Sequence, residues 1–290
     1  MRYTDLADAD CAIAQALAVV GDWWTLLVVR DVAGGLHRFD ALQAELGVSR
    51  KVLAQRLASL VEHRVLDRRR YQDHPPRYEY HLSDAGRGLL PVLIALQDWG
   101  SRYVSGDGTL TATGVEGSAE VRAAHALVGT RIPPVLLGHG DGTVDPVADT
   151  PRTVLFCFPG AYRPGVQGYP PGWGDIPGAP GCTLESRTYQ ARAADFAERG
   201  ASVRGISTQR PDQLDAFAEH EGIRFPLLSD AELTLTAALR LPTFRAAGVD
   251  RLKRLTLVVD ADRVVRAVDY PITDPAGSVD DALRLVTNAA

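Results

Sequence analysis

Along the first hundred residues, apolar positions recur every three or four residues, the period of an amphipathic helix. In "CAIAQALAVVGDWWTLLVVRDVA" the pattern predicts one or two core helices, interrupted at Gly21, with Trp23, Trp24, Leu26 and Leu27 supplying bulk. "RFDALQAELG" predicts a short helix with Phe39, Leu42 and Leu46 on one face and Gly47 as its stop. Ser49 then serves as N-cap for "RKVLAQRLASLVEHRV", where Val52, Leu53, Leu57, Leu60 and Val61 keep the helical spacing. In "LDRRRYQDHPPRYEYHLSDAG" the period shortens to two, in a pair of runs around Asp73-His74-Pro75-Pro76, which predicts a hairpin.

Residues 105–125, "SGDGTLTATGVEGSAEVRAAH", are rich in Gly, Ser, Thr and Ala with a weak helical hint near the end, and are expected to be a linker. Beyond them short apolar runs alternate with amphipathic segments. "TVLFCF" and "ASVRGIST" read as strands, "FPLL" as strand-like, and "RLTLVVDAD" with "RVVRAVDYP" as a late pair. "SRTYQARAADFAERG", "RPDQLDAFAEHEG", "AELTLTAALR" and "SVDDALRLVTN" read as helices. Strands alternating with helices imply an α/β sandwich on a mixed central sheet. The expected organisation is therefore a domain over residues 1–104, a linker over 105–125 and a second domain over 126–290.

Composition narrows the class: 46% apolar and 23% charged residues describe a globular chain, and no apolar run approaches the roughly 20 residues of a membrane span. The acidic start "MRYTDLADAD" lacks the apolar core of a secretion signal, so a cytoplasmic location and no membrane partner are expected. Three scattered cysteines, Cys11, Cys157 and Cys182, form no disulfide scaffold and no cluster with metal-ligand spacing, so neither metal nor cofactor is expected. Charge is uneven within its net value of -5: residues 50–77 hold eight basic side chains against Glu62, Asp67 and Asp73. A basic patch of this kind is a footprint for a polyanion.

Helix, tight turn and capped helix form a helix-turn-helix pattern. Capped by Ser49, the second helix turns Arg50, Lys51, Gln55, Arg56 and Ser59 outward, types that reach guanine and adenine edges in a major groove. The hairpin would be a wing, with Arg68, Arg69, Arg70 and Arg77 placed for backbone phosphates; the alternative is a solvated charged face. "CAIAQALAVVGDWWTLLVVRD", "HRFDALQAELGVSRKVLAQRLASLVEHRVLDRR" and "PPRYEYHLSDAGRGLLPVLIALQDWG" resemble the HxlR-type winged-helix regulators over residues 11 to about 103. The resemblance implies a homodimer, built by terminal helices including "GLLPVLIALQDWGSRYV", that presents two recognition helices to a palindromic double-stranded DNA operator. It also aligns Cys11 with an N-terminal cysteine that resembles a redox sensor in some members; the other reading is a small apolar helix residue.

In the second half, Cys182 follows a Pro-Gly turn in "GAPGCTLESRTY" and opens a helix. Unpaired N–H groups and the positive end of the helix dipole favour a thiolate there, so an exposed, reactive thiol is expected, against an inert core thiol as the alternative. Cys157, inside an apolar strand, reads as inert. "GWGDIPGAPGCTLES", "GISTQ", "FPLLSD", "LRLPTF" and "KRLTLVVD" resemble the peroxiredoxin (AhpC/TSA, thioredoxin-fold) family over about residues 127–288. The implied fold is thus a mainly α winged helix-turn-helix followed by an α/β thioredoxin-like sandwich.

That resemblance implies that Cys182 is the peroxidatic cysteine and Arg254 the arginine beside it, a role that charge also supports, since a guanidinium favours the ionised thiol. Three departures stand out. Ala179 occupies a position where the family pattern has Thr or Ser; Arg187 stands where close relatives carry a resolving cysteine; and "PGAYRPGV" resembles a second peroxidatic loop with Val166 in place of cysteine. A thiol without a nearby partner would stay as sulfenic acid until another thiol met it, with Cys11 as candidate partner. The leading expectation is a redox-responsive regulator that senses peroxide or another small oxidant. A one-cysteine peroxidase fed by an external thiol reductant stands beside it, as does an inactive thioredoxin-fold module holding a ligand among Tyr162, Tyr169, Trp173 and Phe244.

Overall fold

The structure, a computed structural model, describes residues 10–165 and 168–288. The start "MRYTDLADA" and Val166 lie outside the described residues. Two compact units emerge, one ending at Leu93 and the other beginning at Ile94.

In the first unit the long apolar stretch becomes two helices, α1 (Ala12–Val20) and α2 (Trp23–Ala33). Gly21, the C-cap of α1, stands at the break, where a Cβ would sit 2.4 Å from the Leu17 carbonyl oxygen. Asp22 then caps α2, accepting from the N–H groups of Trp24 and Thr25 at 3.0 and 3.3 Å. α3 (Phe39–Leu46) stops at Gly47, whose φ of 62° is the left-handed conformation that glycine adopts without strain. Ser49 caps α4 (Arg50–Glu62) by accepting the Val52 N–H at 3.3 Å. Leu53, Leu57 and Leu60 of α4 pack with Val28, Val29, Val32 and Leu42 in one apolar core. The hairpin forms from β1 (Leu66–Gln72) and β2 (Arg77–Leu82), antiparallel with Leu66 opposite Leu82. A short helix α5 (Asp84–Arg87) leads to α6 (Leu90–Trp99), whose start closes this unit; the rest of α6 and a π turn over Gly100–Val104 belong to the second. No single helix among the described residues is long and apolar enough to cross a membrane.

The second unit holds a seven-stranded sheet and a separate hairpin. Its strands are β3 (Leu137–His139), β4 (Gly142–Val144), β5 (Arg152–Cys157), β6 (Ala201–Ser207), β7 (Leu227–Ser229), β10 (Leu255–Asp260) and β11 (Val265–Asp269). The order is β11-β10-β5-β6-β7-β3-β4, with β5, β6 and β7 parallel and β10 antiparallel to β5. The hairpin β8 (Thr243–Ala246) and β9 (Val249–Leu252) has no counterpart among the sequence expectations. The helices are α7 (Ala119–His125), α8 (Cys182–Ala191), α9 (Ala193–Glu198), α10 (Pro211–Glu221), α11 (Thr234–Leu239) and α12 (Gly277–Asn288).

Side-chain alternation along β5 separates two apolar layers. Leu155 and Cys157 face a cluster with Val121 of α7 and Leu235 of α11. Val154 and Phe156 face the other, with Cys182 and Tyr189 of α8, Phe196 of α9, Phe217 of α10 and Val279 of α12. This is a mixed-sheet α/β sandwich of thioredoxin-like kind. The span expected to be a linker is laid out differently: α7 fills residues 119–125, and Ala112 and Thr113 are buried. Thr113 Oγ1 donates to the Ile272 carbonyl at 2.9 Å, and the Ala112 N–H to that of Pro177 at 2.8 Å. Gly/Thr-rich composition signals few large side chains, not absence of packing.

Candidate functional site

β5 delivers the chain to Phe158-Pro159-Gly160, and after a long loop α8 starts at Cys182. Gly181 makes the entry: its φ is 106°, and a Cβ there would lie 2.6 Å from Pro275 Cγ. The sulfur is therefore held at a helix N-terminus that no side chain caps. Its surroundings differ from the exposed turn expected from Pro-Gly and Thr-Leu-Glu. Cys182 is 1% exposed, packed in the apolar layer with Phe156, Phe158 and Tyr189.

Burial pushes the Cys182 thiol up from its ordinary value; the charge of Arg254 pulls it down, Glu185 raises it, and the Gly160 N–H and an Arg254 hydrogen bond lower it. The net direction is upward, opposite to the expected depression. Desolvation of a wholly enclosed sulfur outweighs one guanidinium that is shared with other acceptors. Consistently, the thiol donates to the Ala179 carbonyl at 3.6 Å.

Arg254, immediately before β10, is fully buried. Nη1 pairs with Glu185, while Nη2 lies 3.1 Å from the Pro180 carbonyl, 3.3 Å from that of Gly178 and 3.4 Å from Cys182 Sγ. One planar fork thus ties the turn before α8, the thiol and a carboxylate together. Glu185, one helical turn past Cys182, is itself enclosed, and burial pushes its carboxyl up to about 7. Ala179 is buried and offers no hydroxyl, and Arg187 is exposed and paired with Glu221. Cys157 lies in the opposite layer of the sheet, its thiol pushed far up by burial. Cys11 is exposed just before α1.

A second group supports the loop after β5. Gln209 clamps Ala161, accepting its N–H at 2.7 Å and donating to its carbonyl at 2.8 Å. Arg251 donates to the Pro159 carbonyl at 3.3 Å and to Tyr162 Oη at 3.0 Å, with its guanidinium 5.0 Å from the Trp173 ring centre. Tyr162, Tyr169, Trp173 and Phe244 form a continuous aromatic run with centroid spacings of 5.1, 5.4 and 6.2 Å. The sequence reading gathered these four aromatics but missed Glu185, Gln209 and Arg251. Only Glu185 carried a local signal, its spacing of three from Cys182 in a helix.

The basic face in the first unit is partly committed to internal contacts. Lys51, Gln55, Arg69 and Arg77 are exposed, on α4 and on the hairpin. Ser49 is the cap, and Arg50 pairs with Asp40 at 3.2 Å and lies over the Phe39 ring. Arg56 is only 27% exposed and forms an ion pair with Asp22, the cap of α2, at 3.0 Å, so it braces two helices. Arg68 covers the Tyr78 ring and Arg70 holds Asp73 at the hairpin turn. No group of three or more His, Cys, Asp or Glu among the described residues could hold a metal ion.

Residues 19–107 match the HxlR-like helix-turn-helix family, and the putative regulatory protein MalR of Fusobacterium mortiferum is 32% identical over 92 residues, 31% of this chain and 87% of that protein. The chain belongs to the HxlR-like helix-turn-helix family. Joined to this HxlR-like part, residues 176–268 match the AhpC/TSA family, and this stretch contains both Cys182 and Arg254. An uncharacterized HTH-type transcriptional regulator of Mycobacterium tuberculosis is 41% identical over 93 residues, 32% of this chain; the match spans 59% of that regulator's length. Peroxidoxin BcpB from Mycobacterium tuberculosis, a solved structure, is 28% identical with a TM-score of 0.46, covering 56% of this chain and 96% of its own.

Proposed function

We propose that this HxlR-like protein is a DNA-binding transcription regulator that responds to peroxide or a related small oxidant through Cys182. The observation that carries the reading is the Arg254 guanidinium 3.4 Å from a thiol at the start of α8, in a domain of AhpC/TSA type. In the reaction the Cys182 thiolate attacks one peroxide oxygen, the oxygen–oxygen bond breaks, and the departing oxygen leaves as water or alcohol after taking a proton. Sulfur is oxidised to sulfenic acid and the peroxide is reduced. Arg254 stabilises the thiolate and the charge that grows on the departing oxygen.

Two features favour a switch over a scavenger. Burial holds the Cys182 thiol above its ordinary value, so little of it is thiolate at neutral pH and reaction with peroxide is slow. Cys157 faces the other layer and Arg187 replaces a nearby thiol, so the sulfenic acid has no partner within its own layer among the described residues. DNA contact is assigned to Lys51 and Gln55 on α4 and to Arg69 and Arg77 on the wing, with Arg50, Arg68 and Arg70 adding charge. Homodimerisation through the terminal helices is supported by an exposed apolar stripe, Val92, Leu96, Trp99 and Tyr103, spaced four, three and four.

Mass spectrometry with a sulfenic-acid trap after graded peroxide tests the thiol. Sulfenic acid is expected at Cys182 and not at Cys157, and less of it in Arg254→Lys, with little peroxide consumed beyond one equivalent. Sustained consumption with a small thiol reductant, lost in Cys182→Ser, would make the protein a one-cysteine peroxidase instead, a reading that the intact Cys182–Arg254 pair also fits.

A further inference from the structure

A cavity of about 640 Å3 lies within the second unit, bounded by the end of α6, the 105–118 segment, the start of α7, Phe244 and Lys253. This volume is in the range of small-molecule sites, roughly 300–1,000 Å3. The cavity does not contain Cys182, and none of the proposed thiol chemistry uses it.

The charges on its walls do not cancel. Asp98, Asp107, Glu116 and Glu120 face Arg102 and Lys253. Lys253 is buried and already committed, 2.9 Å from Glu120 Oε1 and 3.5 Å from the Thr113 carbonyl. Tyr270 Oη also donates to Glu120. Arg102 donates Nε–H to the Gly108 carbonyl at 2.6 Å and lies over the Tyr103 ring. Asp98 is half-buried, and among the described residues its carboxylate has neither a hydrogen bond nor an ion pair. Burial raises its pKa, and the charges of Lys253 and Arg102 only partly offset that rise. A half-buried carboxylate without a direct partner is a place where a bound cation finds an anion to pair with. Phe244, Leu110 and Pro177 give the same cavity an apolar wall.

We propose that this cavity binds an organic cation, a primary or secondary ammonium on an aromatic or alkyl body, with the ammonium on Asp98 and the body against Phe244 and Pro177. Backbone bonds tie the cavity wall to Arg254: the Ala112 N–H donates to the carbonyl of Pro177, which lines the cavity, at 2.8 Å, and the Arg254 N–H to that of Ala112 at 3.1 Å. The proposal stands whether or not Cys182 is a sensor.

Isothermal titration of the full chain with three probes of one shape tests it: 4-phenylbenzylamine, 4-biphenylmethanol and biphenyl-4-carboxylate. The amine is expected to bind at one site per chain, at least about tenfold more tightly than the alcohol, with no measurable binding of the carboxylate. Asp98→Asn should weaken the amine about tenfold and leave the alcohol unchanged. Equal or tighter binding of the carboxylate, failure of the amine to bind wild type, or amine affinity indifferent to Asp98→Asn in a variant with wild-type circular dichroism would each overturn the proposal.

Discussion

Replacing Arg254 by lysine keeps the positive charge but removes the fork. In the native site one guanidinium serves Glu185 through Nη1 and the Pro180 carbonyl, Gly178 carbonyl and Cys182 sulfur through Nη2. A lysine ammonium is a point donor on a flexible stem and cannot span both sides. With Glu185 fully enclosed, the ammonium will settle on the carboxylate and leave the sulfur and the two carbonyls. A hydrogen bond to a charged group contributes about 1.5–3 kcal/mol, and the single Nη2 shared among three acceptors at 3.1–3.4 Å counts as about one, so Arg254→Lys should lose roughly 2–3 kcal/mol of stability. Loss of half of the thiolate's cationic support should push the thiol pKa further up. The assay is the rate of Cys182 alkylation by iodoacetamide, read by mass spectrometry from pH 6 to 10. Wild type should accelerate about tenfold per pH unit between 6 and 8, because burial holds the thiol above its usual value of about 8.5. Arg254→Lys should run about tenfold slower than wild type at pH 7. An unchanged rate and pH profile in Arg254→Lys, or a wild-type plateau beginning below pH 7, would refute the electrostatic account of the site.

Other outcomes follow from the same geometry. Glu185 titrates at about 7 in the folded protein, above the usual carboxyl value of about 4.3, so the folded state holds a proton that the unfolded chain releases. The stability from that proton is present below about pH 4 and lost as pH rises through 7. Asp230, pushed up to about 6 by burial, acts in the same direction. Urea midpoints should therefore fall between pH 5 and 8, and Glu185→Gln should flatten the slope without abolishing it; a steeper slope in the variant would contradict the assignment. Arg69→Ala should weaken DNA binding on all sequences and reduce the salt slope by about one, whereas Gln55→Ala should relax sequence preference, both read by fluorescence anisotropy. Arg56→Ala should act on stability, by about 0.5–1 kcal/mol in thermal unfolding, because its partner is Asp22 of the same unit.

The parts of the fold that were legible are those written in short-range chemistry. Gly47 with positive φ, Ser49 as cap and the Asp-His-Pro-Pro turn each act within a few residues, so α3, α4 and the hairpin lie where the sequence put them. "TVLFCF" and "RLTLVVD" were legible as strands because both faces are buried, giving unbroken apolar runs. The helix start at Cys182 was legible too, but its burial was not. That burial depends on Phe156, Phe158 and Tyr189, which no local pattern ties to Cys182. The Arg56–Asp22 ion pair joins residues 34 positions apart, and the packing of Ala112 and Thr113 depends on Pro177 and Ile272. The hairpin β8–β9 escaped because each strand has only four residues around Ala247-Gly248.

The central claim is that oxidation of one buried thiol changes DNA binding by the same chain. It is tested most directly by titrating the protein with peroxide while its affinity for the DNA upstream of its own gene is followed by anisotropy, in wild type and in Cys182→Ser. The account predicts that wild-type affinity changes at least about tenfold, in step with sulfenic acid at Cys182, while Cys182→Ser binds DNA and ignores peroxide. Wild-type affinity indifferent to stoichiometric oxidation of Cys182, or an equal response in Cys182→Ser, would contradict it.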